Sequence, residues 1–279
     1  MALTVETFAY RALMYDQQTI MDNSQEETVL DRRDWIAGLD KGLAILEAFD
    51  MEHPRMTATQ AAERAGLTRT AARRYLLTLA HLGYLYRDGK HFGLTPRVLK
   101  VGWSYFDSAS LPRLLQPFLQ RVTARTGESV YASVLDQWDL VFIARNGSSR
   151  VMTTGFVLGA RVPAQLASPG IMMLAFRPEA QVRQWLASCA LTPFTPHTIT
   201  DSGRLYAEID KARTDGYAVV EQQLQIGVRG IAVPLKDRRG RAVAALSMSI
   251  PMAGETTAQA LERVLPVLQE TANSLLNHL

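Results

Sequence analysis

The sequence predicts an α+β protein, with a winged helix-turn-helix toward the N-terminus, a connecting helix, and a larger C-terminal domain built on an antiparallel sheet. Three observations predict it. Residues 57–94 hold two short helical patterns joined at Gly66 and followed at once by a hairpin pattern. Bases crowd the same stretch: Arg64, Arg69, Arg73, Arg74, Arg87, Lys90, Arg97 and Lys100 lie between Thr57 and Lys100, against only Glu63 and Asp88 as acids. Beyond residue 128 the apolar period changes from helical to alternating, and helices split the strand-like runs into two groups, the mark of an α+β domain with an antiparallel sheet.

Residues 1–34 read as an N-terminal arm. Glu6, Asp16, Asp22, Glu26 and Glu27 stand against Arg11 alone in residues 1–30, and Val5, Phe8, Ala12 and Tyr15 form a weak apolar stripe. The arm is either an acidic extension or an added helix that packs on a partner subunit.

Residues 35–94 form the expected DNA-binding domain. Leu39, Leu43, Ala44, Leu46 and Phe49 outline its first helix, which Pro54 ends. Thr57 caps the next, with Gln60 at capping-box spacing. Ala61, Ala62 and Ala65 give that helix a small face open to close approach, and Gly66 stops it, since glycine readily turns left-handed after a helix. Thr68 caps the following helix, where Ala72, Tyr75, Leu76, Leu79 and Leu82 predict a buried face. Arg69, Thr70, Arg73 and Arg74 lie off that face near the N-terminal end, the part that a helix-turn-helix inserts into the major groove. Gly83 closes the helix. Tyr84–Tyr86 and His91–Leu94 then read as strands around an Asp88-Gly89 turn, which offers Arg87, Lys90 and His91 to phosphates. The local excess of bases is the footprint of a nucleic-acid partner; a basic solvated hairpin is the alternative.

Residues 95–110 form the linker. Thr95-Pro96 opens a helix, because proline fits a first turn, and Val98, Leu99, Trp103 and Phe106 give it an apolar face. Residues 111–279 form the C-terminal domain. A helix over Leu111–Arg125 stops at Gly127; strands follow at Ser129–Leu135 and Leu140–Arg145 around an Asp136-Gln137 turn, and Val151–Leu158 continues the pattern. Helices are expected at Gly170–Phe176, at Pro178–Ser188, and from a Thr200 or Asp201 cap to Thr214. Gly216 releases strands Tyr217–Gln222, Arg229–Leu235 and Ala242–Ile250, and a final helix spans Thr256–Leu279.

Composition narrows the function. A net charge of +3 over 279 residues confines the basic character to one segment. The single cysteine, Cys189, excludes an internal disulfide framework and a cysteine-cluster metal site. The histidines (His53, His81, His91, His197 and His278) include no i,i+4 pair, and neither HExxH nor GxSxG occurs. No catalytic residue, metal or cofactor is therefore expected, and Cys189 reads as a quiet thiol. No apolar run is long enough to span a bilayer, so a soluble cytoplasmic protein without a membrane partner is expected.

The runs LDKGLAILEAF (39–49) and TATQAAERAGLTRTAARRYLLTLAHLGYL (57–85) resemble the IclR family of bacterial transcription regulators. So do TGES (126–129), VLGARVPA (157–164), TPHTITD (195–201), GYAVVEQQLQIGVRGIAVPL (216–235) and AALSMSIP (244–251). Within the family the chain most resembles the PcaR, PcaU and PobR branch, which controls aromatic-acid catabolism. The resemblance covers nearly everything from Trp35 onward. It implies a GAF-like effector-binding domain at 111–279 and a linker helix that helps form a homodimer or dimer of dimers. It further implies double-stranded DNA with an inverted-repeat operator as partner, and an aromatic acid such as 4-hydroxybenzoate or protocatechuate as effector.

The pocket that the resemblance assigns is lined by Val151, Thr153, Val162, Ser168, Pro169, Val228, Gly230, Ser247 and Ser249. Strand parity agrees, since Val228 and Gly230 share one face of their strand, as Ser247 and Ser249 do of theirs; the alternative is that both serines face solvent. The family often carries Gly-Lys or Gly-Arg after this serine, where the chain has Gly170-Ile171, so a base at the pocket mouth is missing. The effector carboxylate is then expected at the helix start formed by Ser168, Pro169 and Gly170, where unpaired N–H groups and the helix dipole favour an anion, helped by Arg161 or Arg145. Arg229 is expected to turn away into a surface ion pair. A non-aromatic acid effector, or an architectural DNA-binding protein without a ligand, remains the alternative.

Overall fold

A computed structural model describes residues 31, 33–147, 156–276 and 278–279. The chain divides into two compact units, one ending at Tyr105 and the other running from Phe106 to Leu279. Residues 1–30 of the expected arm lie outside the described residues.

The first unit is a winged helix-turn-helix. Helices α1 (Ala37–Glu47), α2 (Ala58–Arg64) and α3 (Arg69–His81) enclose Ile45, Ala61, Ala72 and Leu76, none of them exposed. Strands β1 (Arg55–Thr57), β2 (Leu85–Asp88) and β3 (His91–Leu94) form an antiparallel sheet in the order β1-β3-β2. The Thr57–Gln60 capping box is complete, and Thr68 caps α3 by accepting the Ala71 N–H. Gly66 has φ +63°, the left-handed geometry that the tight turn between α2 and α3 requires.

Several local expectations are corrected. The first helix stops at Glu47, short of Pro54, because Arg64 reaches over from α2: its Nε donates to the Ala48 carbonyl at 2.8 Å, and its guanidinium pairs with Asp50. Leu39 and Leu43 are exposed, and Ile45 and Ala48 supply the buried face instead. Leu82 is likewise exposed, lying at the C-cap of α3. β1 was not expected; three residues are too short a run for alternation to show. In the wing, Asp88 pairs with His91, so the loop is Gly89-Lys90, one residue beyond the expected turn.

After Thr95, whose hydroxyl accepts the Arg97 N–H, a 3-10 turn at Pro96–Val98 leads into α4 (Leu99–Ser108). No residue of α4 is buried; Leu99, Val101, Trp103 and Tyr105 are exposed.

The second unit is a six-stranded antiparallel sheet. Its strands are β4 (Ser129–Asp136), β5 (Asp139–Asn146), β6 (Arg161–Pro163), β7 (Ala218–Glu221), β8 (Val228–Lys236) and β9 (Ala242–Pro251), in the order β6-β5-β4-β9-β8-β7. Helices α5 (Ser110–Thr126) and α9 (Thr257–Leu275) cover one face, where Leu115, Leu119, Val264 and Leu268 meet Val130, Val233 and Leu246. Helices α6 (Ser168–Ala175), α7 (Glu179–Ser188) and α8 (Ser202–Asp215) cover the other, with Met172, Leu174 and Leu205 against Ala218, Ala232 and Ala245. Those alanines let α6 lie so close that all its residues are buried. Of the expected strand at Val151–Leu158, residues 151–155 lie outside the described residues; its end is corrected, since Phe156–Leu158 are not a strand and β6 begins at Arg161.

Candidate functional site

Two places collect the functional side chains, one in each unit. On α3, Ala72 and Leu76 bury the inner face, and Thr68, Arg69, Thr70, Arg73 and Arg74 are all exposed around the first turns. Among the described residues no carboxylate pairs with Arg69, Arg73 or Arg74, so their charges remain available and add to the positive N-terminal end of the helix. The wing is less free than expected. Arg87 folds back, its Nε donating to the Gly89 carbonyl at 2.9 Å and its guanidinium lying 6.0 Å from the Phe92 ring centre. His91 is half-buried, and Lys90 projects from the loop. Arg64 leaves the basic surface altogether: besides Asp50 and the Ala48 carbonyl it meets His53 Nδ1 at 3.1 Å.

In the second unit a cavity of about 60 Å³ lies between the start of α6 and strands β5, β7, β8 and β9. One water-sized sphere needs only about 10–15 Å³, so there is room for more than one water. Ser168, Pro169, Val228, Gly230, Ser247 and Ser249 come together on its walls. Phe142 and Phe156 form an aromatic end, stacked with ring centres 4.1 Å apart and planes 9° apart, and Tyr131 meets both edge-on at 5.6 and 5.9 Å. Ser168 is 1% exposed, and among the described residues its hydroxyl has no hydrogen-bond partner. A buried hydroxyl left so costs about 1–3 kcal/mol, a cost that a hydrogen-bonding ligand would remove.

A loop of glutamines closes the cavity, and the TPHTITD segment holds that loop. Thr195 Oγ1 donates to the Gln222 carbonyl at 2.6 Å, Thr198 Oγ1 to the Gln223 carbonyl at 2.7 Å, and the Ile199 N–H to Gln223 Oε1 at 3.1 Å. Gln222 Oε1 accepts the Gly227 N–H at 3.0 Å. Both amide oxygens are thus taken by backbone N–H groups. Gln222, Gln223, Leu224, Phe142 and Phe156 line the cavity but were not expected. Of these only Phe142 left a trace in the sequence, through the alternation around Leu140.

Other expected pocket residues are placed elsewhere. Val162 is buried behind the wall, packed with Tyr131, Leu140 and Phe142. Arg161 points to the sheet edge, held by Asp136 at 2.6 Å and Asp139 at 3.3 Å. Burial pulls its pKa down, but those two carboxylates outweigh burial and raise it. Val151, Thr153 and Arg150 lie outside the described residues. Gly170 does not open the backbone to a ligand: a Cβ there would lie 2.6 Å from Ala164 Cα, so the glycine serves a backbone–backbone contact. The start of α6 is a poor anion seat, because Pro169 has no N–H and the Gly170 and Ile171 N–H groups both donate to the Ala167 carbonyl. Ala167 occupies the N-cap, and no side chain caps the helix. Ile171 is 2% exposed in the core, so position 171 is not at the cavity mouth.

Arg229 turns away from the cavity as expected, but into a buried pair and not a surface one. At 2% exposure its Nε donates to Glu221 Oε1 at 2.6 Å, and its other N–H groups reach the Glu255 and Thr256 carbonyls and Thr257 Oγ1. Burial pushes the Cys189 thiol up to about 11, so it stays protonated and unreactive near neutral pH. Among the described residues no group of histidine, cysteine or carboxylate side chains is arranged to hold a metal ion, and no helix is long and apolar enough to cross a membrane.

Comparison with known proteins agrees with this geometry. The IclR helix-turn-helix domain matches residues 38–89, and the bacterial transcriptional regulator IclR C-terminal domain matches residues 103–277. The chain belongs to the IclR family of bacterial transcriptional regulators. Two relatives from Acinetobacter baylyi are similar over nearly their whole length. The Pca operon regulatory protein is 36% identical, covering 94% of this chain and 95% of its own. The p-hydroxybenzoate hydroxylase transcriptional activator is 39% identical, covering 91% and 95%. Among solved structures, an IclR homolog from Microbacterium hydrocarbonoxydans complexed with 4-hydroxybenzoate is 25% identical and superposes with a TM-score of 0.69, covering 86% of this chain and 98% of that one.

Proposed function

We propose that this IclR regulator reads an inverted-repeat operator as a homodimer or dimer of dimers, and that a small aromatic carboxylate in the cavity changes its hold on the operator. The acid is of the 4-hydroxybenzoate or protocatechuate class, and the controlled genes serve aromatic-compound catabolism. One observation carries the reading: the cavity sets a stacked Phe142–Phe156 wall against the hydroxyls of Ser168, Ser247 and Ser249. A flat ring bearing a hydroxyl fits such a wall, and a protein of the same family and fold holds 4-hydroxybenzoate. In this reading residues 35–94 bind DNA, residues 95–110 bring exposed Leu99 and Trp103 to a second copy, and residues 111–279 bind the effector in the cytoplasm. The response is a population shift. The acid must bind one arrangement of the paired winged helices better than another, because equal affinity for both would shift nothing. In this reading the protein is a regulator and turns nothing over; among the described residues no catalytic nucleophile–base pair is identified, and burial raises the Cys189 thiol pKa.

A thermal-shift series tests the effector class. At a hundred times its Kd, a true effector stabilises the folded protein by about 2.7 kcal/mol. 4-Hydroxybenzoate or protocatechuate is expected to raise the melting temperature, and aliphatic dicarboxylates are not; the reverse pattern would overturn the aromatic assignment.

For the operator, Arg69 or Arg73 reads a base edge, and Arg87, Lys90 and His91 contact phosphates, with Thr68, Thr70 and Arg74 flanking. An arginine bidentate to guanine contributes about 1–3 kcal/mol of discrimination. Arg73→Ala is therefore expected to relax sequence preference, whereas Lys90→Ala lowers affinity for all sequences and flattens the salt dependence. Binding of Arg73→Ala with undiminished preference in a competition assay would remove it from base readout.

A further inference from the structure

Among the described residues the cavity has no charged side chain on its walls, and an ionised carboxylate buried without a cation carries a large desolvation cost. The start of α6 offers little in its place, since Pro169 has no N–H and the Gly170 and Ile171 N–H groups donate to the Ala167 carbonyl. The arginines of the sheet divide sharply in this respect. Arg161 is held by Asp136 and Asp139, and Arg229 by Glu221 on the opposite face from Val228 and Gly230.

Arg145 has neither constraint. It stands opposite Tyr131 on β4, and Tyr131 stands opposite Ser247 on β9. Directly opposed residues of antiparallel strands share a face, so Arg145 lies on the face that carries the cavity serine. Simple alternation from Phe142 would have put it on the other. The register of β4 with β5 shifts between Ala132 and Ser133: Ala132 pairs with Ala144 and Ser133 with Phe142. Ile143 is thus the extra residue of a bulge, which brings Phe142 and Arg145 to one face although they are three apart. Arg145 Nη1 donates to the Phe156 carbonyl at 3.0 Å, and Phe156 is the outer ring of the cavity's aromatic stack. Among the described residues no carboxylate pairs with this guanidinium.

We infer that Arg145 is the cation that receives the carboxylate of the effector, and that it makes the cavity select aromatic anions over their neutral analogues. The inference rests on the reading of the cavity as an aromatic-acid site. A guanidinium suits the role, since its planar fork offers a carboxylate two parallel N–H donors. The Phe156 carbonyl holds one N–H and steadies the fork beside the aromatic wall, with the remaining N–H groups left for the ligand.

Isothermal titration of the full-length protein with 4-hydroxybenzoate and with 4-hydroxybenzamide tests it. The wild type is expected to prefer the acid by roughly 10- to 100-fold, the span of a hydrogen bond to a charged group. Arg145→Gln is expected to bring the ratio close to one while the amide still binds, which also reports an intact cavity. Arg145→Lys keeps the charge but loses the fork, and an intermediate ratio is expected. An undiminished acid preference in Arg145→Gln overturns the role of Arg145 and leaves the cavity assignment standing. A wild type that binds neither compound overturns the aromatic-acid reading and this inference with it.

Discussion

Glu221→Ala is expected to destabilise the C-terminal unit by about 3–5 kcal/mol, because it leaves the Arg229 charge buried without its counter-ion. Arg229 is 2% exposed, and Glu221 Oε1 accepts both its Nε–H and the Thr257 hydroxyl at 2.6 Å. The lower end of the range is expected, since the Glu221 side chain is 34% exposed and water can partly take its place. Urea unfolding reads the effect as a lower midpoint. The double variant Glu221→Leu/Arg229→Met removes both charges and is expected to recover much of the loss, because a well-packed apolar pair often replaces a buried ion pair at little cost. The pair also predicts a pH dependence. Burial pushes the Glu221 carboxyl up, but hydrogen bonds from Thr257 and Arg229 outweigh burial and hold it below its ordinary 4.5. A carboxyl depressed in the folded state contributes stability that is complete above its unfolded pKa and is lost as pH falls through the folded one. The wild-type urea midpoint should thus fall below about pH 4.5, and that of Glu221→Gln should fall less. Parallel curves would show that this carboxylate carries none of the dependence.

Gly170→Ala is the second large effect, with a cost of about 3 kcal/mol or more, or roughly 6–12 °C in melting temperature for a domain of this size. The added Cβ would lie 2.6 Å from both the Cα and the carbonyl carbon of Ala164 and closer still to its oxygen, and every residue of α6 is buried, so neither backbone can give way. Gly230→Ala provides the contrast. Its Cβ would meet Ser168 Oγ at 2.6 Å, and a serine hydroxyl can rotate. A smaller thermal loss is expected there, together with weaker effector binding, because the methyl occupies cavity space. Equal thermal losses in the two variants would contradict this account of α6.

The winged helix-turn-helix was legible because each of its signals is local. The Thr57–Gln60 box, the Gly66 turn, the Thr68 cap and the apolar spacing of Ala72 and Leu76 act over three or four residues. The exposed bases of α3 follow from the same spacing. The elements of the C-terminal unit were legible for the same reason, down to the Asp201 and Thr256 caps of α8 and α9. Within the cavity, the two-residue period placed Val228 with Gly230 and Ser247 with Ser249. The Ile143 bulge, which turns Arg145 to the face of Ser247, leaves no such local signal, because it shows only in the pairing of β4 with β5.

By itself, then, the sequence determined most of the elements and their order, the helix-turn-helix and its basic face, through interactions between residues close along the chain; the cavity serines came from the family resemblance, with strand parity in agreement. Only the tertiary structure decided the fate of the arginines. Arg64 is drawn off the DNA-binding surface by Asp50 across the turn between α1 and α2, Arg161 is held at a sheet edge by the β4–β5 hairpin, and Arg229 is buried with Glu221 from the neighbouring strand. A guanidinium carries the same charge in every setting. Whether it serves DNA, a ligand or the core depends on which carboxylate the fold brings within about 4 Å of it, and that proximity arises only when distant segments pair.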